Sequence, residues 1–274
     1  MAGSDGPSLY NYDPNVAASI IFALVFGASA ALHIWQAFIR ARAWFFTAFV
    51  IGSVMMALGY LCRAISAKSP TSLGPYIGQS LLILLPPSLY AATIYMVYGR
   101  IVQCTRRPEL SIISPTRVTK VFVVGDVLAF ILQCSGGGMM AISGLGSIGE
   151  KLLVFGLFVQ LLFFGFFLFV SVKFALRIRR TPSKVMEGPW KTLLYILYAM
   201  AALIIFRCVY RIVEFVQGHD GYLVSHELYM YLFDTLPMLV VQLLFHRWQP
   251  YRMLNASQAA MGGCESYVNL QGLR

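Results

Sequence analysis

Apolar and polar positions divide the chain into seven long apolar runs separated by short polar stretches. The runs are Val16 to Phe38, Trp44 to Ser66, Pro75 to Ile101, Val118 to Ile142, Lys151 to Ala175, Lys191 to Phe215 and His226 to Arg247, taken in order as spans 1 to 7. A helix needs about 20 mostly apolar residues to cross a hydrocarbon layer about 30 Å thick. It also satisfies its own backbone donors and acceptors, which lipid cannot do. The expected fold class is therefore an all-α integral membrane protein. It is a seven-transmembrane-helix bundle over 16–247, with short tails at 1–15 and 248–274. No internal repeat is visible and seven helices do not halve, so the inverted-repeat plan of many transporters is not expected.

Composition agrees. Of 274 residues, 58% are hydrophobic and 12% charged, about half the charged share of a soluble domain. Mean hydropathy is +0.71. The first fifteen residues hold Asp5 and Asp13 but no Lys or Arg, so a cleavable leader is not expected. The net charge of +10 is not a nucleic-acid signature, because it is segregated by loop. Sixteen Lys and Arg fall on the loops after spans 1, 3 and 5 and on the C-terminal tail, against Lys68 and Lys151 on the other side. Arg63, Arg207 and Arg211 lie within spans and complete the 21. Basic loops stay cytosolic, so the N-terminus is expected outside and the C-terminus in the cytosol.

Five cysteines offer no outside pair, and no structural disulfide is expected. Cys264 in the tail is either a palmitoyl acceptor or a plain cysteine. The Asn255-Ala256-Ser257 sequon falls on the cytosolic side and is expected unused. Pro86-Pro87 sits mid-way along span 3, removes two backbone donors and predicts a kink, read as a fixed bend or as a cavity wall. Gly136-Gly137-Gly138 either lets helices approach closely or ends span 4.

The informative residues are the ionisable ones inside the spans, where a charge costs about 2.5–3.5 kcal/mol on the gentlest scale. Span 6 carries Arg207, Arg211 and Glu214, and span 7 carries Glu227, Tyr231 and Asp234. Both sets have i, i+4, i+7 spacing and so one face each. The spans run antiparallel, and Arg207 and Asp234 each lie roughly 12 Å from the same end. An Arg207–Asp234 ion pair is expected, with Arg211 level with Tyr231 and Glu227 above. Arg63, Gln79, Gln133 and Gln160 extend the polar set, and Asp126 and His33 lie nearer the cytosolic side. Asp126 is read as a cation or proton site, or as a neutral buried acid. Three Arg against Asp126, Glu214, Glu227 and Asp234 leave a formal −1, so most charges are expected to be paired. Two readings stand: glue between spans 2, 6 and 7, or a polar cavity near the outer leaflet that holds the head of an amphipathic ligand.

In this order the motifs become recognisable. Span 2 has Gly59-Tyr60-x-x-Arg63. Span 3 has Pro86-Pro87, Ala91-Ala92-x-x-Tyr95 and Gly99-Arg100. Span 4 has Gly125-Asp126, Gln133 and the glycine triplet, and span 5 has Gly156-Leu157-x-x-Gln160. Span 6 has Arg207-x-x-Tyr210-Arg211-x-x-Glu214 with Gly218 beyond. Span 7 has Glu227, Tyr231, Asp234 and Pro237. Over residues 10 to 250 the chain resembles the fungal RTA-like, or lipid-translocating exporter, family. The resemblance implies seven helices, a plasma-membrane or other endomembrane location, and handling of amphipathic lipids: sphingoid long-chain bases, sterol-like amines or, in one branch, porphyrin or haem. It implies membrane lipids and an amphipathic small molecule as partners, with Tyr95 and Tyr210 joining the candidate ligand-binding residues. In the family an acid often stands three positions before the Gly of Gly-Tyr. Here that residue is Met56, so Arg63 must find its counter-charge elsewhere.

Other classes fit less well. No Walker motif supports an ATP-driven pump. His33 and His246 lie towards one side and His219 and His226 towards the other, so a zinc hydrolase lacks convergent ligands, and neither catalysis nor a resident cofactor is expected. Haem binding through His33 or His226 stays as an alternative, as does a seven-helix lipid sensor or receptor.

Overall fold

The computed structural model describes residues 10, 12, 14–69, 71–105, 108–140, 142, 144–180, 189–218 and 221–260. Asp5, Asp13, His219 and Cys264, named above, lie outside the described residues, as do Arg106, Arg107, Lys184 and Arg274 among the sixteen basic residues. Among the described residues, seven helices are long and apolar enough to cross a membrane: Val16–Arg40, Trp44–Lys68, Leu73–Cys104, Thr119–Met140, Gly146–Arg179, Trp190–Val216 and Glu227–Arg247. They are spans 1 to 7. No strand is present among the described residues. Span 5 runs about two and a half helical turns longer than its apolar core, because Gly146–Glu150 and Leu176–Arg179 continue the helix at either end.

Neighbours in sequence pack as neighbours in space, and span 3 is the most deeply buried, touching spans 2, 4, 5 and 6. Large side chains such as Leu24, Val124, Phe155 and Leu162 face outward. In an integral membrane protein such side chains meet acyl chains. The buried core is aromatic, with Tyr95 packed on Phe122, Phe164 and Phe167, and Tyr60 stacked on Phe26.

The two proline positions shape the helices that hold the candidate site. Span 3 breaks at Leu85, between helices Leu73–Leu84 and Pro86–Cys104. Pro87 has no N–H for the carbonyl of Ile83, so that carbonyl is left open. Span 2 comes close at this break because Gly59 has no side chain. A Cβ there would stand 2.7 Å from Ile83 Cγ1 and 3.1 Å from the Leu82 carbonyl carbon. In span 7, Pro237 follows a π-helical turn, Tyr231–Thr235. The wider turn suits a proline that can neither donate nor tolerate the carbonyl four residues back.

The glycine triplet does not end span 4, which continues to Met140. A Cβ on Gly136 would stand 2.6 Å from the Gly149 carbonyl oxygen, so the triplet allows backbone-to-backbone contact with span 5. Part of the stretch read as a C-terminal tail is helical: Pro250–Ala260 packs on spans 3 and 6, with Tyr251 and Leu254 buried. Part of the N-terminal tail also folds back onto the bundle through Tyr10 and Tyr12. The two ends of the bundle are called below the Tyr10 end and the basic end.

Candidate functional site: a charged network beneath a cavity

The carbonyl opened by Pro87 is where the network begins. Arg207 Nη2 donates to Ile83 O at 2.7 Å. The Nε of the same guanidinium lies 2.5 Å from Asp234 Oδ1, with Arg207 and Asp234 both 1% exposed or less. The expected pair is thus present, and its arginine also caps the broken helix. Asp234 serves a second cation: Arg211 Nε and Nη2 reach its two oxygens at 3.0 and 2.6 Å. Arg211 Nη1 donates to Glu214 Oε2 at 2.8 Å, and Tyr210 OH donates to Glu214 Oε1 at 3.3 Å.

Arg211, expected at the level of Tyr231, spends its guanidinium on Asp234. Tyr231 lies against Arg63, whose guanidinium carbon is 5.6 Å from its ring centre. The counter-charge that Met56 does not supply comes from span 7: Arg63 Nη2 donates to Glu227 Oε1 at 2.8 Å. Glu227 also accepts from Tyr231 OH at 2.7 Å and from the Asn15 backbone N–H at 3.0 Å. The N-terminal segment completes this cluster. Tyr12 OH accepts from Arg63 at 2.8 Å, Gln79 Nε2 donates to Tyr10 OH at 2.6 Å, and Tyr10 OH donates to Ser66 at 2.8 Å. Burial lifts the Tyr10 phenol above its ordinary pKa, so it stays a neutral donor at physiological pH.

A cavity of about 260 Å³ lies at the Tyr10 end over this network. Its polar lining includes Tyr10, Tyr12, Arg63, Gln79, Glu150, Arg211, Glu214 and His226. Its apolar lining includes Leu73, Ile77, Leu81, Leu84, Leu153 and Met140. Gly137 and Met140 of span 4 and Glu150 and Leu153 of span 5 therefore join spans 2, 3 and 6 in building the site. Arg207, Tyr210, Glu227, Tyr231 and Asp234 do not line the cavity; through their bonds to Arg63, Arg211 and Glu214 they hold its wall.

The remaining candidates lie apart from the cavity. Gln133 Nε2 donates to Gln160 Oε1 at 2.9 Å, and Gln160 Nε2 donates to Ser88 at 3.0 Å, a buried chain across spans 3, 4 and 5. Asp126 and the Tyr95 hydroxyl are buried with no hydrogen-bond partner among the described residues. At the basic end His33 and His246 stack with ring centres 3.6 Å apart, and Ser29 bridges His246 to Gln242. Among the described residues no group of three or more His, Cys, Asp or Glu could hold a metal. Sequence reasoning missed Glu150, Tyr10, Tyr12 and Tyr76 as lining residues. All four sit at span ends or in a tail, where polar residues are ordinary and periodicity gives no signal.

The sequence model described as "RTA1 like protein" matches residues 49–257, more than half of the chain. This chain belongs to that family. It is 36% identical to "Protoporphyrin uptake protein 1" of Saccharomyces cerevisiae, over 86% of this chain and 90% of the relative. It is 35% identical to "Protein RTA1" of the same species, over 88% and 84%. It is 24% identical to "Sphingoid long-chain base transporter RSB1" of Saccharomyces cerevisiae strain Lalvin EC1118, over 89% and 75%. No solved structure matches this chain.

Proposed function

We propose that this member of the family moves an amphipathic lipid across the membrane, taking the headgroup into the cavity at the Tyr10 end while the tail stays among acyl chains. The observation that carries this is the cavity itself. At about 260 Å³ it falls below the roughly 300–1,000 Å³ of sites that enclose a whole drug-sized ligand. Its lining combines charged and polar side chains with apolar ones, as a site for the head of an amphipath requires. Relatives named for lipid translocation and sphingoid-base transport support the reading. Segregation of Lys and Arg supports a cytosolic basic end, and with it an outer-leaflet position for the cavity. With no nucleotide-binding motif in the chain, movement runs downhill or on another gradient.

The test is reconstitution into liposomes with a tail-labelled sphingoid base. Transbilayer movement that needs the protein, and is lost when Leu81→Trp fills the cavity, supports a translocator. Saturable binding without movement points instead to a sensor. A second reading, handling of a tetrapyrrole, is favoured by the 36% identical relative named for protoporphyrin uptake. In the same liposomes, a protoporphyrin that moves when the sphingoid base does not would replace the first reading with the second.

A further inference from the structure

The carboxylates that span spacing brings forward are already spent on arginines. Asp234 carries Arg207 and Arg211, Glu214 carries Arg211, and Glu227 carries Arg63. The lining cations are spent as well: Arg63 serves Glu227, Tyr12 and Gln79, and Arg211 serves Asp234 and Glu214. One lining charge stands outside this arrangement. Glu150, in the second turn of span 5, makes no hydrogen bond or ion pair with any described residue. Its Oε1 lies 4.0 Å from where a Cβ on Gly218 would stand. Gly218 has φ +70°, so the backbone that ends span 6 keeps this place free of a side chain. With His226 left aside, the three arginines of the network face four carboxylates, Glu150 included. The surplus is one negative charge, and it belongs to Glu150.

We propose that Glu150 is the residue that selects a positively charged headgroup, and that Glu214, Glu227 and Asp234 are positioning residues that hold Arg63 and Arg211 in the wall. The assignment rests on the reading that the cavity receives a headgroup. A ligand cation beside Glu150 completes the charge balance without breaking an existing pair. A cation at Glu214 or Asp234 would have to displace a guanidinium held by two or more bonds. An anionic headgroup finds no lining cation left without a counter-ion.

The experiment uses the purified full chain and two probes: a tail-labelled long-chain primary amine and its N-acetylated, uncharged counterpart. Wild-type protein is expected to bind the amine more tightly. Glu150→Gln is expected to weaken amine binding about tenfold and to leave the acetylated probe unchanged, because one charge contact in a partly wet site is lost. Glu150→Asp is expected to recover most of the preference for the amine. Glu150→Gln should unfold at the wild-type temperature, since no internal pair is broken. A Glu150→Gln protein that still prefers the amine as strongly as wild type overturns the assignment and leaves the headgroup reading standing. Wild-type protein that binds neither probe overturns both.

Discussion

At the scale of residues, the account turns on who shares a charge with whom. Asp234 is fully buried between two guanidiniums. Breaking a buried pair by removing one partner leaves uncompensated charge and costs about 3–5 kcal/mol. Asp234→Asn is therefore expected to lower the unfolding temperature in detergent clearly, whereas Glu150→Gln is not. Exchanging the charges, Arg207→Asp with Asp234→Arg, is expected to fail as a rescue, because the exchanged cation then faces Arg211. Stability recovered to the wild-type level would show that Arg211 does not depend on Asp234. The Arg207–Asp234 contact was legible in the sequence, because matching depths on antiparallel helices are simple arithmetic. The sharing with Arg211 was not, since a long side chain can reach along the helix by a turn. The role of Glu150 was hidden for another reason: an acid at a helix end beside Lys151 looks like an ordinary solvated charge.

At the scale of elements, the helices break where the network needs them to. Pro87 opens the Ile83 carbonyl that Arg207 fills, and Gly59 lets span 2 reach that break. Gly59→Val is expected to destabilise by about 1–3 kcal/mol, the usual range for overpacking, and thermal unfolding in detergent measures it. Its neighbour here is the span 3 backbone, which cannot step aside. Pro87→Ala restores a donor that competes with Arg207 for Ile83 O. It is expected to loosen the Arg207–Asp234 pair and to raise hydrogen exchange at residues 84–88 rather than lower it. The kink was legible from Pro86-Pro87 alone. Its purpose was not, because the arginine that fills the gap is 124 positions away in sequence. The glycine triplet shows the same limit: close packing and helix ending both fit three glycines, and only Gly149 on the facing helix decides between them.

At the scale of the whole molecule, seven spans, their order and the family were all readable from apolar length and motif order. Spatial pairing of the tails was not. The N-terminal segment reads only as a short tail on the outer side, yet Tyr10 and Tyr12 line the cavity and hold Gln79 and Arg63. Orientation has a direct check. A cysteine introduced at Leu223 is expected to react with a membrane-impermeant maleimide on intact cells, and one at Glu109 only after permeabilisation. The reverse pattern would put the cavity in the other leaflet.

The central claim is that the cavity at the Tyr10 end receives the head of an amphipath while its tail stays outside. Photo-crosslinking with two versions of one lipid, carrying the reactive group at the head or at the tail end, tests it most directly. The account predicts head-probe adducts on cavity residues such as Tyr76, Leu81 or Leu153, and tail-probe adducts on lipid-facing side chains. Head-probe adducts confined to the lipid-facing surface, with none on the cavity wall, would contradict it.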